Sequence, residues 1–324
     1  MNNENLNIEI FGNNNSGNSD IDISENSTLD YIDLGERGRL SRKNKLNDLT
    51  GKEWIKFTKT WFVHRPPRRK DEEILHPAKY PESLVEEFIK FFTKKGGFII
   101  DPFLGTGSTL VAARNLFRNA IGIEITKKYA EIARKRLSKL TLEFADEQIL
   151  NEVIIGNSTE AYELTKKHHP EVVKNGFDFC ITSPPYWNQL KKNNLRQANR
   201  KDKGLDTVYS FLPDDIGNED DYKLFLKKQK IIFNEVYKLL KDKAYLVVIT
   251  NNVFSDSKLF PLAFDTFNSL TTGKFAWIGK DEKIWCQDDK ALHNLGINNA
   301  WVGNRCHQYC LIFRKELNSG RKKL

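Results

Sequence analysis

The hydrophobic pattern of the chain predicts alternating strands and helices from about residue 76 onward. Short apolar runs bounded by turn residues, the pattern of buried strands, occur in "GGFIIDPF", "NAIGIEIT", "NEVIIGNS", "FDFCITSP" and "AYLVVITNNV". Helical spacing of apolar residues separates these runs, for example in "ESLVEEFIKFF" and "IIFNEVYKLL". The stretches "GKFAWIG" and "HQYCLIFRKE" predict the last two strands. Strands separated by helices imply an α/β protein with a mostly parallel sheet and helices on both faces.

Length, hydropathy and cysteine usage narrow the class of protein. At 324 residues the chain can bury a full core, either as one large domain or as one domain with a smaller lobe. No apolar run approaches the roughly 18 residues of a membrane span, and the polar N-terminus is unlike a signal peptide. The four cysteines include no CxxC pair, so the sequence predicts a reduced, cytoplasmic protein without a membrane partner.

The spacing of Cys306, His307 and Cys310 raises a zinc site as an alternative to a plain strand. The surrounding stretch "CHQYCLIFRK", however, alternates apolar and polar residues as a strand does. The strand is therefore favoured, and the sequence predicts no metal.

The net charge of +8 is distributed unevenly along the chain. Residues 1–33 hold seven acidic residues and no basic ones, whereas residues 34–70 hold twelve Lys or Arg against three acids. A second basic run, residues 191–203, carries six basic residues against one acid. Such runs are often only solvated faces, but aromatic residues close to them favour a polyanionic partner, meaning nucleic acid. These aromatic residues are Trp54, Phe57, Trp61, Phe62 and Tyr186.

The segment "DPFLGTGST" (residues 101–109) predicts a cofactor-binding loop between a strand and a helix. Gly105 and Gly107 allow close approach of the backbone to a ligand, although a tight turn would also explain a GxG pair. Glu124 ends the next strand, about 20 residues on, where an acid can bind the hydroxyls of a ribose. The third glycine of a dinucleotide loop is missing, and Asp101 would repel a pyrophosphate but attract an ammonium group. This combination favours S-adenosylmethionine over NAD.

The strand predicted at residues 177–181 runs into "SPPY" (residues 183–186), which we call the SPPY turn. Two consecutive prolines end the pairing of a strand because neither has an N–H group. Tyr186 and Trp187 follow, and both rings are expected to be exposed. A plain end of the strand is the alternative, which the preceding Gly-rich loop disfavours.

Together, "HPAKYPESL", "DPFLGTGST", "IGIEI", "IIGNSTEA" and "TSPPYW" resemble the DNA amino-methyltransferases, which methylate cytosine N4 or adenine N6. The resemblance covers roughly residues 76–315 and implies a Rossmann-like class I methyltransferase fold with an antiparallel last strand. It implies S-adenosylmethionine at the carboxyl end of the first strand and the target base at that of the fourth. The residues that it assigns to the cofactor are His76, Pro77, Asp101, Pro102, Phe103, Gly105, Gly107, Ser108, Thr109, Glu124, Asn157, Ser158 and Ser183. Asn157 stands where relatives often have Asp, and it can still pair with an adenine edge.

The same resemblance assigns catalysis to Ser183, Pro184, Pro185 and Tyr186 of the SPPY turn. Ser183 Oγ and the Pro184 carbonyl would accept hydrogen bonds from the target amine, and the prolines would fix that carbonyl. The ring of Tyr186 would stack on an extruded base, whereas its hydroxyl would be dispensable. Serine at the first position of the turn resembles the cytosine-N4 group. Cytosine C5 methylation is disfavoured because it needs a nucleophilic cysteine, usually in a Pro-Cys pair, and no cysteine here follows a proline.

The sequence therefore predicts a site-specific cytosine-N4 DNA methyltransferase of a restriction-modification system. Its expected partners are double-stranded DNA and a cognate restriction endonuclease that acts on the same site. The alternatives are adenine-N6 methylation, an RNA base methyltransferase, and a catalytically silent nucleic-acid-binding subunit, which the intact pocket residues disfavour. The predicted segments are a disordered acidic tail (1–33), a basic N-terminal segment (34–75), a catalytic core (76–252), a DNA-recognition region (253–306), and a final core strand with a basic tail (307–324).

Overall fold

The structure is a computed structural model that describes residues 31–33, 39–41, 43–65, 80–140, 149–189 and 210–317, together with positions 202 and 207. Within these residues the α-helices are α1 (Gly51–Phe57), α2 (Glu82–Phe92), α3 (Ser108–Asn115), α4 (Lys127–Ser138), α5 (Ala161–His168), α6 (Pro170–Asn175), α7 (Tyr222–Leu239) and α8 (Leu262–Leu270). The strands are β1 (Tyr31–Asp33), β2 (Arg39–Ser41), β3 (Trp61–Val63), β4 (Phe98–Asp101), β5 (Asn119–Glu124), β6 (Asn151–Ile155), β7 (Phe177–Thr182), β8 (Leu240–Thr250), β9 (Val253–Ser255), β10 (Lys258–Phe260), β11 (Ile278–Cys286) and β12 (His307–Arg314).

Contacts divide the chain into two units, residues 1–45 and residues 46–324. In the first unit β1 and β2 form an antiparallel pair in which Tyr31 lies opposite Ser41. The predicted disorder of the acidic tail is therefore wrong for β1, because β1 and β2 satisfy each other's backbone hydrogen bonds. The rest of that predicted tail lies outside the described residues.

The second unit is built on an eight-stranded sheet with the order β3-β11-β12-β8-β7-β4-β5-β6. The five strands from β4 to β8 pair in parallel, whereas β12 runs antiparallel to both of its neighbours, β8 and β11. The strand order reverses between β4 and β7, since β5 and β6 extend the sheet on one side and β8 on the other. The predicted, mostly parallel sheet with an antiparallel last strand is confirmed.

Neighbouring residues of the central strands enter different cores, because side chains alternate between the two faces of a sheet. Ile99 of β4 belongs to the cluster that also contains residues of α2, α3 and α4, whereas Ile100 belongs to the cluster with residues of α7 and α8. Phe179 and Cys180 of β7 divide between the two clusters in the same way. These strands are continuous apolar runs because helices cover both of their faces.

The position of β11 differs from the sequence prediction. The apolar pattern predicts a strand at residues 273–279, but the strand spans Ile278–Cys286. Its middle residues Lys280, Asp281 and Glu282 are exposed and charged, so a hydrophobicity pattern does not identify the strand. A register shift between Gly279 and Asp281 further breaks the alternation.

The sheet includes residues that the sequence assigns to the basic N-terminal segment and to the DNA-recognition region. β3, from the predicted basic segment, pairs in parallel with β11 at one edge of the sheet. β11 itself, together with β9, β10 and α8, falls in the predicted recognition region. The sheet domain thus extends beyond residues 76–252, and residues 287–306 form the connection from β11 to β12. A role of these residues in DNA recognition stays a prediction.

The first turn of α2 has no side-chain cap, because its N-cap residue is Pro81. The Ser83 hydroxyl lies 2.8 Å from Nε2 of His64. Ser83 therefore links the first turn of α2 to the segment after β3.

The stretch around His307 and Cys310 forms the inner strand β12, in agreement with its alternating pattern. In the part of the chain that the structure describes, no three His, Cys, Asp or Glu residues are grouped so that they could hold a metal ion. None of the described helices is both long enough and apolar enough to cross a membrane.

Candidate active site

Asp101 ends β4 and is completely buried. Its carboxylate accepts hydrogen bonds from the hydroxyls of Tyr80 (2.7 Å), Thr109 (2.5 Å) and Thr182 (2.5 Å), and from the N–H of Phe103 (3.0 Å). Burial raises the pKa of Asp101, and the hydrogen bonds oppose that rise. Through these bonds Asp101 fixes the end of β4 to the loop that follows and to β7. Its predicted contact with a cofactor ammonium stays a prediction.

The Gly-rich loop after β4 packs tightly against α4. Gly107 has a left-handed φ of 88°, and a Cβ at this position would lie 2.8 Å from Cβ of Ala133. Only glycine satisfies both conditions without a shift. Arg136 of α4 donates from Nη1 to the Thr106 carbonyl (2.6 Å) and from Nη2 to Glu82 of α2. The loop is therefore held between two helices.

Glu124 ends β5 and is only 7% exposed. Its carboxylate accepts the N–H groups of Gly105 (2.7 Å) and Thr126 (2.8 Å), one on each oxygen. Burial raises the pKa of Glu124 to about 7, and the two backbone hydrogen bonds partly offset this effect. Each oxygen has capacity for a further hydrogen bond, so the carboxylate can accept hydroxyl groups of a ligand.

A cavity of about 720 Å³ opens at the carboxyl edge of the sheet. Its lining includes predicted cofactor residues and predicted catalytic residues. The predicted cofactor residues that line it are Phe103, Gly105, Ser108, Glu124 and Ser183, and Pro185 and Tyr186 line it from the SPPY turn. The two strands that carry these groups, β4 and β7, are neighbours at the reversal of strand order. Open α/β sheets bind their ligands at this place.

Several predicted residues lie outside the cavity lining. These residues are Asp101, Pro102, Gly107, Thr109, Asn157, Ser158 and Pro184, while His76 and Pro77 lie outside the described residues. Ser158 donates its hydroxyl to the Pro102 carbonyl (2.5 Å), and the Asn157 side chain accepts the N–H of Thr159 (3.0 Å). These contacts support the loops around the cavity. A direct contact of Asn157 with the adenine of a cofactor stays a prediction.

The SPPY turn begins directly after β7, where ladder pairing ends. Pro184 and Pro185 are buried, whereas Ser183 and Tyr186 are partly exposed. Two fixed φ angles make the backbone of this turn rigid. The turn therefore presents a hydroxyl and an aromatic ring to the cavity from a stiff base.

Trp187 does not expose its ring, and the expectation that it does is wrong. The residue has a positive φ of 52° and is 6% exposed. Its ring packs at 5.2 Å from that of Tyr222 and at 4.7 Å from that of Phe260, measured between ring centroids. Trp187 anchors the turn in a separate apolar cluster with α7 and α8, which leaves Tyr186 as the ring that faces the cavity.

Gln308 of β12 belongs to the site, although sequence reasoning does not identify it. The Tyr186 hydroxyl donates a hydrogen bond of 2.6 Å to Oε1 of Gln308 and lies 3.4 Å from Oγ of Ser183. Gln308 lines the cavity and lies opposite Trp285 of β11. It is 122 residues from Tyr186 along the chain, and the one available signal is a polar residue near the start of an apolar strand.

The structure describes the two predicted basic segments only in part. Arg65 is exposed and pairs with Asp288 at 3.0 Å. Arg68 and Arg69 lie outside the described residues, as does the second basic run apart from Asp202. A role of these basic segments in DNA binding stays a prediction.

Two family models match the chain. One is described as DNA methylase (N6_N4_Mtase) and matches residues 13–135, and the other is described as Eco57I restriction-modification methylase and matches residues 118–267. The Type II methyltransferase M2.DpnII of Streptococcus pneumoniae is 52% identical over 62 residues, or 19% of this chain and 23% of that protein. The Type II methyltransferase M.BglI of Bacillus subtilis is 37% identical over 91 residues, or 28% of this chain and 26% of that protein. The match thus spans about a quarter of the length of these relatives.

Solved structures resemble the chain more distantly. TrmN from Thermus thermophilus aligns with a TM-score of 0.42 and 11% identity over 72% of this chain and 48% of that one. An rRNA methylase from Streptococcus thermophilus aligns with a TM-score of 0.39 and 11% identity over 74% of this chain and 99% of that one. At these scores neither likeness establishes the fold, which follows from the strand order itself.

The ranges of the two family matches include both motifs of the candidate site. The match over residues 13–135 contains the Gly-rich loop, and the match over residues 118–267 contains the SPPY turn. These two motifs lie at the ends of neighbouring strands and face one cavity. Over residues 13–135 and 118–267, each less than half of its length, the chain is similar to DNA methylases and to restriction-modification methylases.

Proposed function

We propose that this protein transfers a methyl group from S-adenosylmethionine to N4 of an extruded cytosine in DNA, as the modification enzyme of a restriction-modification system. The likeness of the chain to DNA methylases and to Type II methyltransferases supports DNA as the substrate and a cognate nuclease as a partner. The observation that carries the proposal is the cavity that joins Glu124 to Ser183 and Tyr186. It provides room for a nucleoside cofactor beside a base.

The lining of the cavity fits S-adenosylmethionine. A volume of about 720 Å³ suits a nucleoside-sized ligand together with a base. Glu124 and Asp215 line the cavity close enough to interact electrostatically, and at this end of the cavity their charge favours a cationic cofactor over one with phosphates. Glu124 would hold the ribose hydroxyls, and the backbone at Gly105 would approach the ligand closely. When bound, S-adenosylmethionine supplies an activated methyl group.

The SPPY turn can orient an exocyclic amine. Such an amine has two hydrogens, and Ser183 Oγ and the Pro184 carbonyl would accept one each. These bonds hold the nitrogen lone pair in the direction of attack, so positioning supplies much of the rate. The Tyr186 hydroxyl lies 3.4 Å from Ser183 Oγ, so the amine acceptor sits beside the edge of the ring. A base stacked on Tyr186 would therefore have its amine within reach of Ser183.

The choice of cytosine over adenine rests on Ser183. Serine occupies the first position of the SPPY turn, which resembles the cytosine-N4 group of the family. The Cys180 thiol in β7 is completely buried, and burial raises its pKa well above its ordinary value. A thiol held in its protonated form is a poor nucleophile, so Cys180 does not favour chemistry at C5 of cytosine.

Nucleoside analysis tests the proposed function. The full-length protein is incubated with S-adenosylmethionine and unmethylated phage DNA, and the DNA is digested to nucleosides for mass spectrometry. We expect N4-methylcytosine, and the Glu124→Ala variant at the same concentration should give none. N6-methyladenine would overturn the choice of base. Methylation of RNA alone would overturn the choice of substrate, and cofactor binding without any methylated product would support a silent binding subunit.

A further inference from the structure

The connection from β11 to β12 (residues 287–306), which we call the β11–β12 loop, leaves the sheet beside the proposed base site. β11 and β8 both run antiparallel to β12, so β11 ends at the same carboxyl edge as β7 and β8. The N–H of Gln287 donates to the Cys306 carbonyl (2.7 Å), so the two strands stay paired at the base of the loop. The loop therefore extends outward from the edge at which the cavity opens.

The base of the β11–β12 loop adjoins the SPPY turn. Gln308, two residues after the loop, accepts the hydrogen bond from Tyr186. Lys290 and Arg305, near the two ends of the loop, line the same cavity as Tyr186. Asp289 also lines this cavity, and Asp288 pairs with Arg65 at 3.0 Å, so the base of the loop carries both signs of charge and includes two cations that can contact phosphates.

Asn304 closes the outer part of this loop. Its side-chain oxygen accepts the N–H of His293 (2.9 Å), and its side-chain nitrogen donates to the His293 carbonyl (2.8 Å). Within the closed part, the N–H of Ala300 donates to the Gly296 carbonyl (2.9 Å), and Gly296 has a left-handed φ of 65°. Residues 294–303 therefore form a folded tip with its own backbone bonds.

The tip is uncharged and strongly exposed. The stretch from 291 to 304, "ALHNLGINNAWVGN", contains no Asp, Glu, Lys or Arg. Trp301 is 92% exposed and Ile297 is 64% exposed. An uncharged tip with an exposed tryptophan has the composition of an element that contacts bases rather than phosphates.

We propose that the β11–β12 loop enters the DNA duplex at the target nucleotide and that Trp301 stacks on the bases exposed when that nucleotide is extruded. The inference rests on the proposed function, since a target amine inside a duplex becomes reachable only by extrusion. Extrusion breaks stacking on both sides of the target base. An aromatic side chain that occupies the gap restores part of this stacking and so favours the extruded state.

Comparison of methylation rates on paired and mismatched duplexes tests the proposed insertion of Trp301. Sequencing of DNA methylated by the protein identifies the target site, and short duplexes carry that site either fully paired or with a mismatch opposite the target base. A mismatch lowers the cost of extrusion. Trp301→Ala should therefore slow single-turnover methylation of the paired duplex by about 10- to 100-fold and that of the mismatched duplex much less. Trp301→Phe, which keeps a ring, should retain most of the rate on both duplexes.

Ile231→Ala is the control, because Ile231 is an aliphatic residue that is 48% exposed on α7, outside the β11–β12 loop and the cavity lining. It should leave both rates unchanged. If Trp301→Ala lowers the methylation rate equally on the paired and mismatched duplexes, the insertion of Trp301 is overturned in favour of a general contact with DNA. A wild-type dimer in sedimentation that Trp301→Ala dissolves would overturn it in favour of self-association. The proposed function fails separately, if the wild type methylates neither duplex.

Discussion

The hydrogen bond between Tyr186 and Gln308 joins the SPPY turn to β12, and its removal tests how the proposed base site is oriented. Tyr186→Phe keeps the ring but removes the hydroxyl that donates a hydrogen bond of 2.6 Å to Oε1 of Gln308. A net hydrogen bond contributes about 0.5–1.5 kcal/mol, and a buried acceptor left unpaired costs about 1–3 kcal/mol. The sequence alone treats this hydroxyl as dispensable, but its hydrogen bond to Gln308 changes that expectation. Because the pair is only partly buried, we expect a loss of about 1–2 kcal/mol, or about 5- to 30-fold in rate.

The loss should appear in methyl transfer rather than in DNA affinity. The ring of the Tyr186→Phe variant can still stack on a base, so binding should change little. A ring that tilts, however, displaces the target amine from Ser183, and a shift of about 1 Å can cost up to about 100-fold in rate. The assay is single-turnover methyl transfer at saturating cofactor and DNA, together with DNA affinity by fluorescence anisotropy.

A double-variant cycle separates orientation from other effects. Gln308→Met removes the acceptor at similar volume and should cost as much as Tyr186→Phe, and the double variant should be no worse than either one. Gln308→Glu keeps an acceptor and should keep most of the rate. Tyr309→Phe, which removes a hydroxyl from the next residue of β12 on the opposite face, is the matched control. Full activity of Tyr186→Phe, or additive losses in the double variant, would refute the reasoning.

Three further predictions concern the cofactor, the amine acceptor and the buried network. Glu124, whose pKa burial raises to about 7, would accept ribose hydroxyls best as a carboxylate. Cofactor affinity by calorimetry should therefore be full above pH 7 and fall by up to about tenfold per pH unit below it, and Glu124→Gln should flatten this profile. Ser183→Ala should reduce single-turnover methylation about 5- to 100-fold with little change in DNA affinity, and an unchanged rate would remove the basis for the cytosine assignment. Thr182→Val should lower the free energy of unfolding in urea by about 1–3 kcal/mol, because Asp101 loses a buried donor. The control is Thr250→Val on β8, since the buried Thr250 hydroxyl has no hydrogen-bond partner among the described residues, and an equal loss in both variants would contradict the role of the network.

The central sheet could be predicted because its residues carry a strong local signal. Ile99 and Ile100 are both apolar since each faces a helical layer, and such runs identify a strand buried on both sides. β11 lacks this signal because Lys280 and its neighbours are exposed, so its strand state depends on pairing with β12 and β3. β3 is three residues long, and its Trp61 is 50% exposed. Edge strands of this kind are set by tertiary contacts that local patterns do not contain.

The residues of the candidate site likewise divide into those that the sequence predicts and those that it does not. That Glu124, Ser183 and Tyr186 line one cavity could be predicted because each belongs to a compact motif. Gln308 could not be, since its importance arises from a contact with a residue 122 positions away. The structural role of Asp101 was equally hidden, because three hydroxyls and a backbone N–H from separate segments converge on its carboxylate. A motif fixes which residues are present, whereas the fold decides which of them face the cavity.

The hydrogen bond from Thr182 to Asp101 explains why both proposed ligands would meet at a fixed distance. It joins the last residue of β7 to the last residue of β4 at 2.5 Å inside the core. The Gly-rich loop begins directly after Asp101, and the SPPY turn begins directly after Thr182. Neighbouring strands lie about 4.8 Å apart, so the two loops leave the sheet side by side and enclose the cavity between them. The side-by-side placement of the two loops depends on which strands are neighbours and not on the order of the strands along the chain. A chain that connected the same strands in a different order would therefore keep the same site.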